Sequence, residues 1–296
     1  MGGRQTRVMT PAMTPEPTDD SPFSYADPGD PLWKRLAIGM VERLSGARHI
    51  ERLYREKQAE GWRDGEQRSF FHTAISALSL DVQYDADRLV RAPSQGPLVV
   101  VANHPFGVLD GIVMCALMER ARPDFLVLTN SVLMRAPEMR ARMLPVDFAE
   151  TREAQRINVA SRAKALDHLK DGGCVVIFPA GAVSTSPDWL GRQPAIDGAW
   201  SPFAARLVLS ARAGVLPIYF SGQNSRLFQI ASHIHPNLRL GLFFHEVRRR
   251  IGAPFPVEIG EAATFDAFAH LDRAVLLTHL RALVYGLAGD AQPRPR

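Results

Sequence analysis

Two cysteines in 296 residues, Cys115 and Cys174, exclude a disulfide framework and a cysteine metal quartet. Each sits inside an apolar run and reads as a buried thiol. The sequence also lacks any run of 18 or more apolar residues, so no transmembrane helix is expected. No apolar central region follows the charged start, which argues against a signal peptide. Residues 1–30, rich in Pro, Thr, Asp and Gly and without periodicity, read as a disordered tail. A strong charge of one sign is missing too. The formal net charge of +4 suits an acidic surface such as anionic lipid, an acidic partner or nucleic acid. Nucleic acid is set aside, because zinc-finger spacing, a helix-turn-helix pattern and aromatic RNA-binding motifs are all missing. No metal site and no internal repeat are evident.

What is present begins with a basic amphipathic segment. Apolar residues recur at Leu32, Leu36, Met40 and Leu44, then at Ile50, Leu53 and Tyr54, which is helical spacing. Between 33 and 57 seven Lys/Arg (Lys34, Arg35, Arg43, Arg48, Arg52, Arg55, Lys57) outnumber three acids (Glu42, Glu51, Glu56). With Trp33 leading, the segment reads either as a membrane-surface helix or as a core-packing helix with a solvated basic face. The run Arg248–Arg250, ending a helix expected at 238–250, has a similar pair of readings: headgroup contact or favourable placement at the negative end of a helix dipole.

Downstream, strands alternate with helices. Strands are expected at 97–102, 125–129, 144–147, 174–178, 215–220 and 255–260, and helices at 110–121, 152–170, 201–212, 238–250 and 271–287. That alternation predicts an α/β fold with a mostly parallel sheet covered by helices, preceded by an N-terminal helical element. The organisation is then a tail over 1–30, basic amphipathic helices over 31–80 and one domain over 81–288.

The chemistry concentrates on two turns. Asn103-His104-Pro105-Phe106-Gly107-Val108-Leu109-Asp110 follows the apolar run Leu98–Ala102 and precedes a helix. A His acts as a general base when its pKa lies near working pH and a second group fixes its tautomer; an Asp on the same turn supplies that group. The plain alternative is a loop histidine beside an aspartate that caps the helix. The second turn, Phe178-Pro179-Ala180-Gly181-Ala182-Val183-Ser184, also follows an apolar strand, Cys174–Ile177. The loop 181–200, with Trp189 and Trp200, reads as a mobile or membrane-contacting flap or as a quiet surface loop.

The order NHPxG…D, FPxG…S and then Leu216-Pro217-Ile218-Tyr219-Phe220 resembles the glycerolipid acyltransferase superfamily, the lysophosphatidate acyltransferase-like enzymes. The resemblance runs over about 70–285 and is strongest over 97–184. Five residues separate His104 from Asp110 where the family usually has four; the longer NHPxGxxDG form is similar to lyso-ornithine-lipid acyltransferases and hemolysin-like proteins. The resemblance implies a glycerolipid acyltransferase-like fold and a catalytic pair, His104 and Asp110. It also implies a substrate site drawn from Asn103, Phe106, Gly107, Phe148, Phe178, Pro179, Gly181 and Ser184. The implied reaction moves a fatty acyl group from an acyl carrier protein or coenzyme A thioester to a lysolipid hydroxyl, without a resident cofactor. The implied place is the cytoplasmic side, peripheral on the inner face of the membrane.

Three departures bear on the acceptor. Ala180 replaces the family's Glu in the third block, Val183 replaces its Arg, and Phe148 stands where the second block commonly ends in Arg. Arginine is the favoured partner of a phosphate monoester, because its charged fork binds two oxygens at once. Its loss at two positions favours lyso-ornithine lipid or a similar aminolipid as acceptor. Lysophosphatidate, held instead by Arg142, Arg152 or Arg156, and hydrolysis of a lipid or thioester are the alternatives. Ser184 lacks the Gly-x-Ser-x-Gly elbow of a serine nucleophile.

Overall fold

The computed structural model describes residues 69–131, 137–234 and 236–290, together with Arg52 and Glu56. The expected tail and most of the basic helical segment lie outside the described residues. Arg52 and Glu56 are helical and form an exposed i,i+4 ion pair at 3.6 Å.

The chain order is α1 (Phe70–Ala77), β1 (Asp81–Gln83), α2 (Ala86–Val90), β2 (Leu98–Ala102), α3 (Val108–Ala121), β3 (Leu126–Asn130), β4 (Met143–Val146) and α4 (Arg152–Lys170). It continues with β5 (Cys174–Ile177), α5 (Phe203–Ala211), β6 (Gly214–Phe220), α6 (Arg226–Ile234), α7 (Pro236–Arg250), β7 (Pro254–Ile259) and α8 (Arg273–Gly286). The seven strands form one sheet in the order β1-β7-β6-β2-β5-β3-β4. Five neighbours, β6, β2, β5, β3 and β4, run parallel. β7 turns against β6 and carries β1 parallel to itself at the edge. The mostly parallel, helix-covered α/β sheet is the fold that the alternating pattern predicts.

Two differences have physical reasons. β1 spans three residues, only Val82 of which is half-buried, so it carries no apolar run to detect. α6 is nine residues long, shorter than the roughly ten to twelve over which a helical period is read along a chain. α4, by contrast, starts and stops where its residues say. The Thr151 hydroxyl accepts from Ala154 N–H at 3.1 Å, and His168 and Lys170 occupy the last turn.

β2 is buried at all five positions, as a central parallel strand covered on both faces must be. Leu98, Val100 and Ala102 pack toward α1 and α3; Val99 and Val101 pack toward α4, α5 and α8. Pro217 is tolerated in β6 because it lies where the β7 ladder ends. Its carbonyl accepts from Gly260 N–H at 2.9 Å, and its missing N–H faces the same side. At the opposite end, the Arg122 side chain is 1% exposed. It bonds Asp124 through two nitrogens and the carbonyls of Pro93, Gly96 and Gly172, stapling the entries to β2 and β5. Both cysteines are buried and free, and burial pushes both thiols up.

Candidate active site

The parallel strands send their carboxyl ends to one edge of the sheet, where α/β folds gather ligand sites. His104 follows β2, Phe178 follows β5, Phe148 lies two residues past β4, and Asn130 ends β3. Gly107 lets the chain turn sharply from β2 into α3: its φ is +70°, and a Cβ there would stand 2.7 Å from a ring carbon of Phe243.

That turn folds Asp110 back beneath His104. Oδ2 of Asp110 accepts the N–H groups of Phe106 at 2.7 Å and Gly107 at 2.9 Å. The same oxygen stands 3.1 Å from His104 Nδ1, an approach bent away from an ideal hydrogen bond. Asp110 is fully buried and His104 is 19% exposed. The aspartate therefore fills both roles left open by the sequence, capping α3 and facing the histidine. Burial raises the Asp110 pKa, opposed by His104 and the two N–H donors. Oδ1 of Asp110 has no partner among the described residues. The His104 ring lies against Phe178 with centroids 4.4 Å apart.

A cavity of about 650 Å³ opens at His104. Its deep wall is apolar and buried, formed by Ile112, Cys115, Val127, Met139 and Met143. Its mouth holds exposed Phe148, Gly181, Ala182 and Arg162. Among the described lining residues none is acidic, and the only charged side chains are Arg162 and Arg239.

The structure brings Gly107, Phe148, Phe178, Pro179 and Gly181 to this cavity with His104. The other three expected substrate contacts lie behind it. Asn103 spends its amide on the sheet, donating to the Phe220 carbonyl at 3.0 Å and accepting from Phe220 N–H at 2.7 Å. Phe106 is 1% exposed and packs between Phe255 and the guanidinium of Arg250, which lies 4.1 Å over its ring. Ser184 is buried, and its hydroxyl donates to Asp197 Oδ1 at 2.6 Å. These three hold the turn rather than face the cavity, because each has its reach consumed by protein partners. Arg250 likewise belongs to the scaffold, donating to the Gln223 carbonyl at 3.1 Å.

Asp197 is the residue that sequence reasoning missed. It is 3% exposed and gathers three donors: Ser184 Oγ, the backbone N–H of His104 at 3.2 Å, and Trp200 Nε1 at 2.9 Å. Tyr285 and Arg281 on α8 grip its backbone. Burial, then the Asp197 charge, pushes the Tyr285 hydroxyl up to about 12. The loop 181–200 is thereby tied down at Ser184, Asp197 and Trp200. An acid in an irregular loop has no periodic signature, so nothing in the sequence marked it.

The arginines expected to compensate for the lost cations are elsewhere. The Arg142 guanidinium sits over the Phe125 ring, Arg156 is an exposed partner of Glu153, and Arg152 is exposed on the first turn of α4. None of the three lines the cavity.

Comparison with known proteins bears on this geometry. A family model described as "Acyltransferase" matches residues 48–252. A lyso-glycine lipid O-acyltransferase from Bacteroides thetaiotaomicron is 24% identical over 157 residues, covering 50% of this chain and 52% of that protein. The chain thus spans about half the length of this curated relative. The crystal structure of the 1-acyl-sn-glycerophosphate acyltransferase PlsC from Thermotoga maritima aligns with a TM-score of 0.49 at 17% identity, covering 88% of this chain and 98% of that one.

Proposed function

We propose that this chain, which belongs to the acyltransferase family, moves a fatty acyl group from a thioester to a hydroxyl of a lysolipid. The observation that carries the reading is the His104–Asp110 pair at the mouth of a deep apolar cavity. With Nδ1 turned toward Asp110, Nε2 is the ring nitrogen on the cavity side. It takes the proton of the acceptor hydroxyl as that oxygen attacks the thioester carbonyl. The tetrahedral intermediate collapses to the ester and expels a thiolate, which recovers the proton from the imidazolium. Asp110 orients the ring and stabilises its charge, and the acceptor's own hydroxyl replaces an enzyme nucleophile. The N–H groups of Ala182 and Val183, which make no backbone hydrogen bond among the described residues, are the donors this reading assigns to the developing oxyanion. The buried wall of Ile112, Cys115, Val127, Met139 and Met143 takes the acyl chain.

The acceptor is a lyso-aminolipid such as lyso-ornithine lipid. Two observations support this: the lining positions 148, 180 and 183 carry Phe, Ala and Val and so no cation of their own, and the Bacteroides relative is named for a lyso-glycine lipid. The donor is a thioester of acyl carrier protein or coenzyme A. The enzyme works peripherally at the inner face of the membrane; no helix among the described residues is long and apolar enough to cross one. Competition between lyso-ornithine lipid and lysophosphatidate for one labelled acyl thioester tests the reading. Acylated aminolipid is the expected product. Preferred acylation of lysophosphatidate overturns the acceptor, and release of free fatty acid alone overturns the transfer.

A further inference from the structure

α7 passes over the mouth of the cavity, and two of its side chains line it. Phe243 closes on Gly107, at the start of α3 beside His104. Arg239 lies four residues earlier, so it shares the same face of the helix, about 6 Å along the axis. Its Nε is buried and has no hydrogen-bond partner, and no carboxylate lies within ion-pair distance of it among the described residues. Burial alone drives its pKa downward, with no neighbouring charge opposing that shift. This sets it apart from Arg122 and Arg250, which have protein acceptors. A half-buried, unpaired guanidinium costs the fold free energy and is ordinarily paired or solvated. A cavity without a single acidic lining residue cannot pair it from within.

We propose that Arg239 receives an anionic oxygen group of a substrate that enters the His104 cavity. The chemistry it recognises is a carboxylate or phosphate, bound by the two-pronged guanidinium. It supplies from α7 the cation that positions 148 and 183 do not. The inference rests on the acyl-transfer reading of the site, and the anion belongs either to the lipid acceptor or to the phosphates of the thioester donor.

Four probes separate these sources: a monoacyl aminolipid with a free carboxylate, its methyl ester, lysophosphatidate, and an acyl coenzyme A. In the full chain, Arg239→Gln should raise KM for the carboxylate acceptor tenfold or more. The KM for acyl coenzyme A and kcat should change less than about twofold, tenfold corresponding to about 1.4 kcal/mol. The methyl ester should be a poor acceptor for the native chain and no worse for the variant. Arg239→Lys should fall between, because it keeps the charge and loses the fork. A rise confined to the KM of acyl coenzyme A assigns the anion to the donor and supports the recognition itself. Unchanged KM values for every probe overturn the proposal. So does a large drop in the variant's urea midpoint, because an unpaired cation should be dispensable for folding. If the native chain acylates none of the acceptors, the site reading fails instead. Equilibrium binding of the carboxylate lipid and its ester to native and Arg239→Gln protein then still decides the role of Arg239.

Discussion

The backbone N–H of His104 donates to Oδ1 of Asp197, 93 residues further along the chain, at 3.2 Å. The same oxygen accepts the Ser184 hydroxyl, and the other carboxylate oxygen accepts the Trp200 indole. One buried residue therefore joins the histidine turn and the Gly181 loop through its carboxylate, and helix α8 through its backbone, whose N–H donates to Tyr285 and whose carbonyl accepts from Arg281. It never touches the cavity, yet it holds the two turns that shape the mouth.

Asp197→Asn sets an amide nitrogen against the Trp200 N–H or against the backbone N–H of His104. The variant should lose about 1–3 kcal/mol of stability, the cost of one unmet buried donor. Its kcat should fall with KM of the donor little changed, since the acyl wall is untouched. Urea unfolding and steady-state kinetics measure both; native stability and native kcat would remove Asp197 from the support of the site.

His104→Ala should lower acyl transfer by two orders of magnitude or more, the usual worth of a general base. Asp110→Asn should also be severely impaired while remaining folded. Circular dichroism checks the fold and a labelled-thioester assay checks the rate. Near-native transfer by folded His104→Ala would end the general-base assignment.

Asp110 also carries a pH signature. Its folded pKa is raised above the ordinary aspartate value, chiefly by burial. A raised carboxylate binds its proton more tightly in the folded state, so this group favours folding most at low pH. That contribution is lost as pH rises from the ordinary value through the raised one. Urea midpoints of the native chain, referred to Asp110→Asn at each pH, should therefore decline across that interval and level off above it. A difference that grows with pH would mean that His104 and the two N–H donors outweigh burial.

Arg122→Ala should destabilise the fold by about 1–3 kcal/mol, because it strands the backbone carbonyls of Pro93, Gly96 and Gly172, while Asp124, 43% exposed, is left to water. Since Arg122 lies at the opposite edge of the sheet from His104, kcat measured well below the unfolding transition should stay within about twofold of native. Equilibrium urea unfolding reads the first expectation and kinetics the second.

Salt-sensitive binding to anionic vesicles is expected, through the basic 33–57 segment and through exposed Trp189 and Leu190 with Leu227 and Ile234 on α6. Removing residues 1–60 should weaken sedimentation with the vesicles at low salt, and Trp189→Ala should weaken it further. Unchanged sedimentation of the truncated chain would return the basic helix to a packing role.

Much of this protein is legible along the chain. Buried parallel strands such as Leu98–Ala102 read as continuous apolar runs, α4 declares its own cap and end, and His104 and Asp110 share one turn, so short-range spacing alone brings them close. Long-range geometry decided the rest. Whether Asn103, Phe106 and Ser184 face a substrate or the scaffold depends on Phe220, Phe255 and Asp197, partners far away in sequence. Asp197 and Arg239 carry no local pattern at all. A lone acid in a loop and a lone arginine in a helix acquire meaning only when folding buries one among donors and leaves the other without an acceptor. Periodicity records which side of an element is covered; it does not record what stands opposite, and that is what a buried charge answers to.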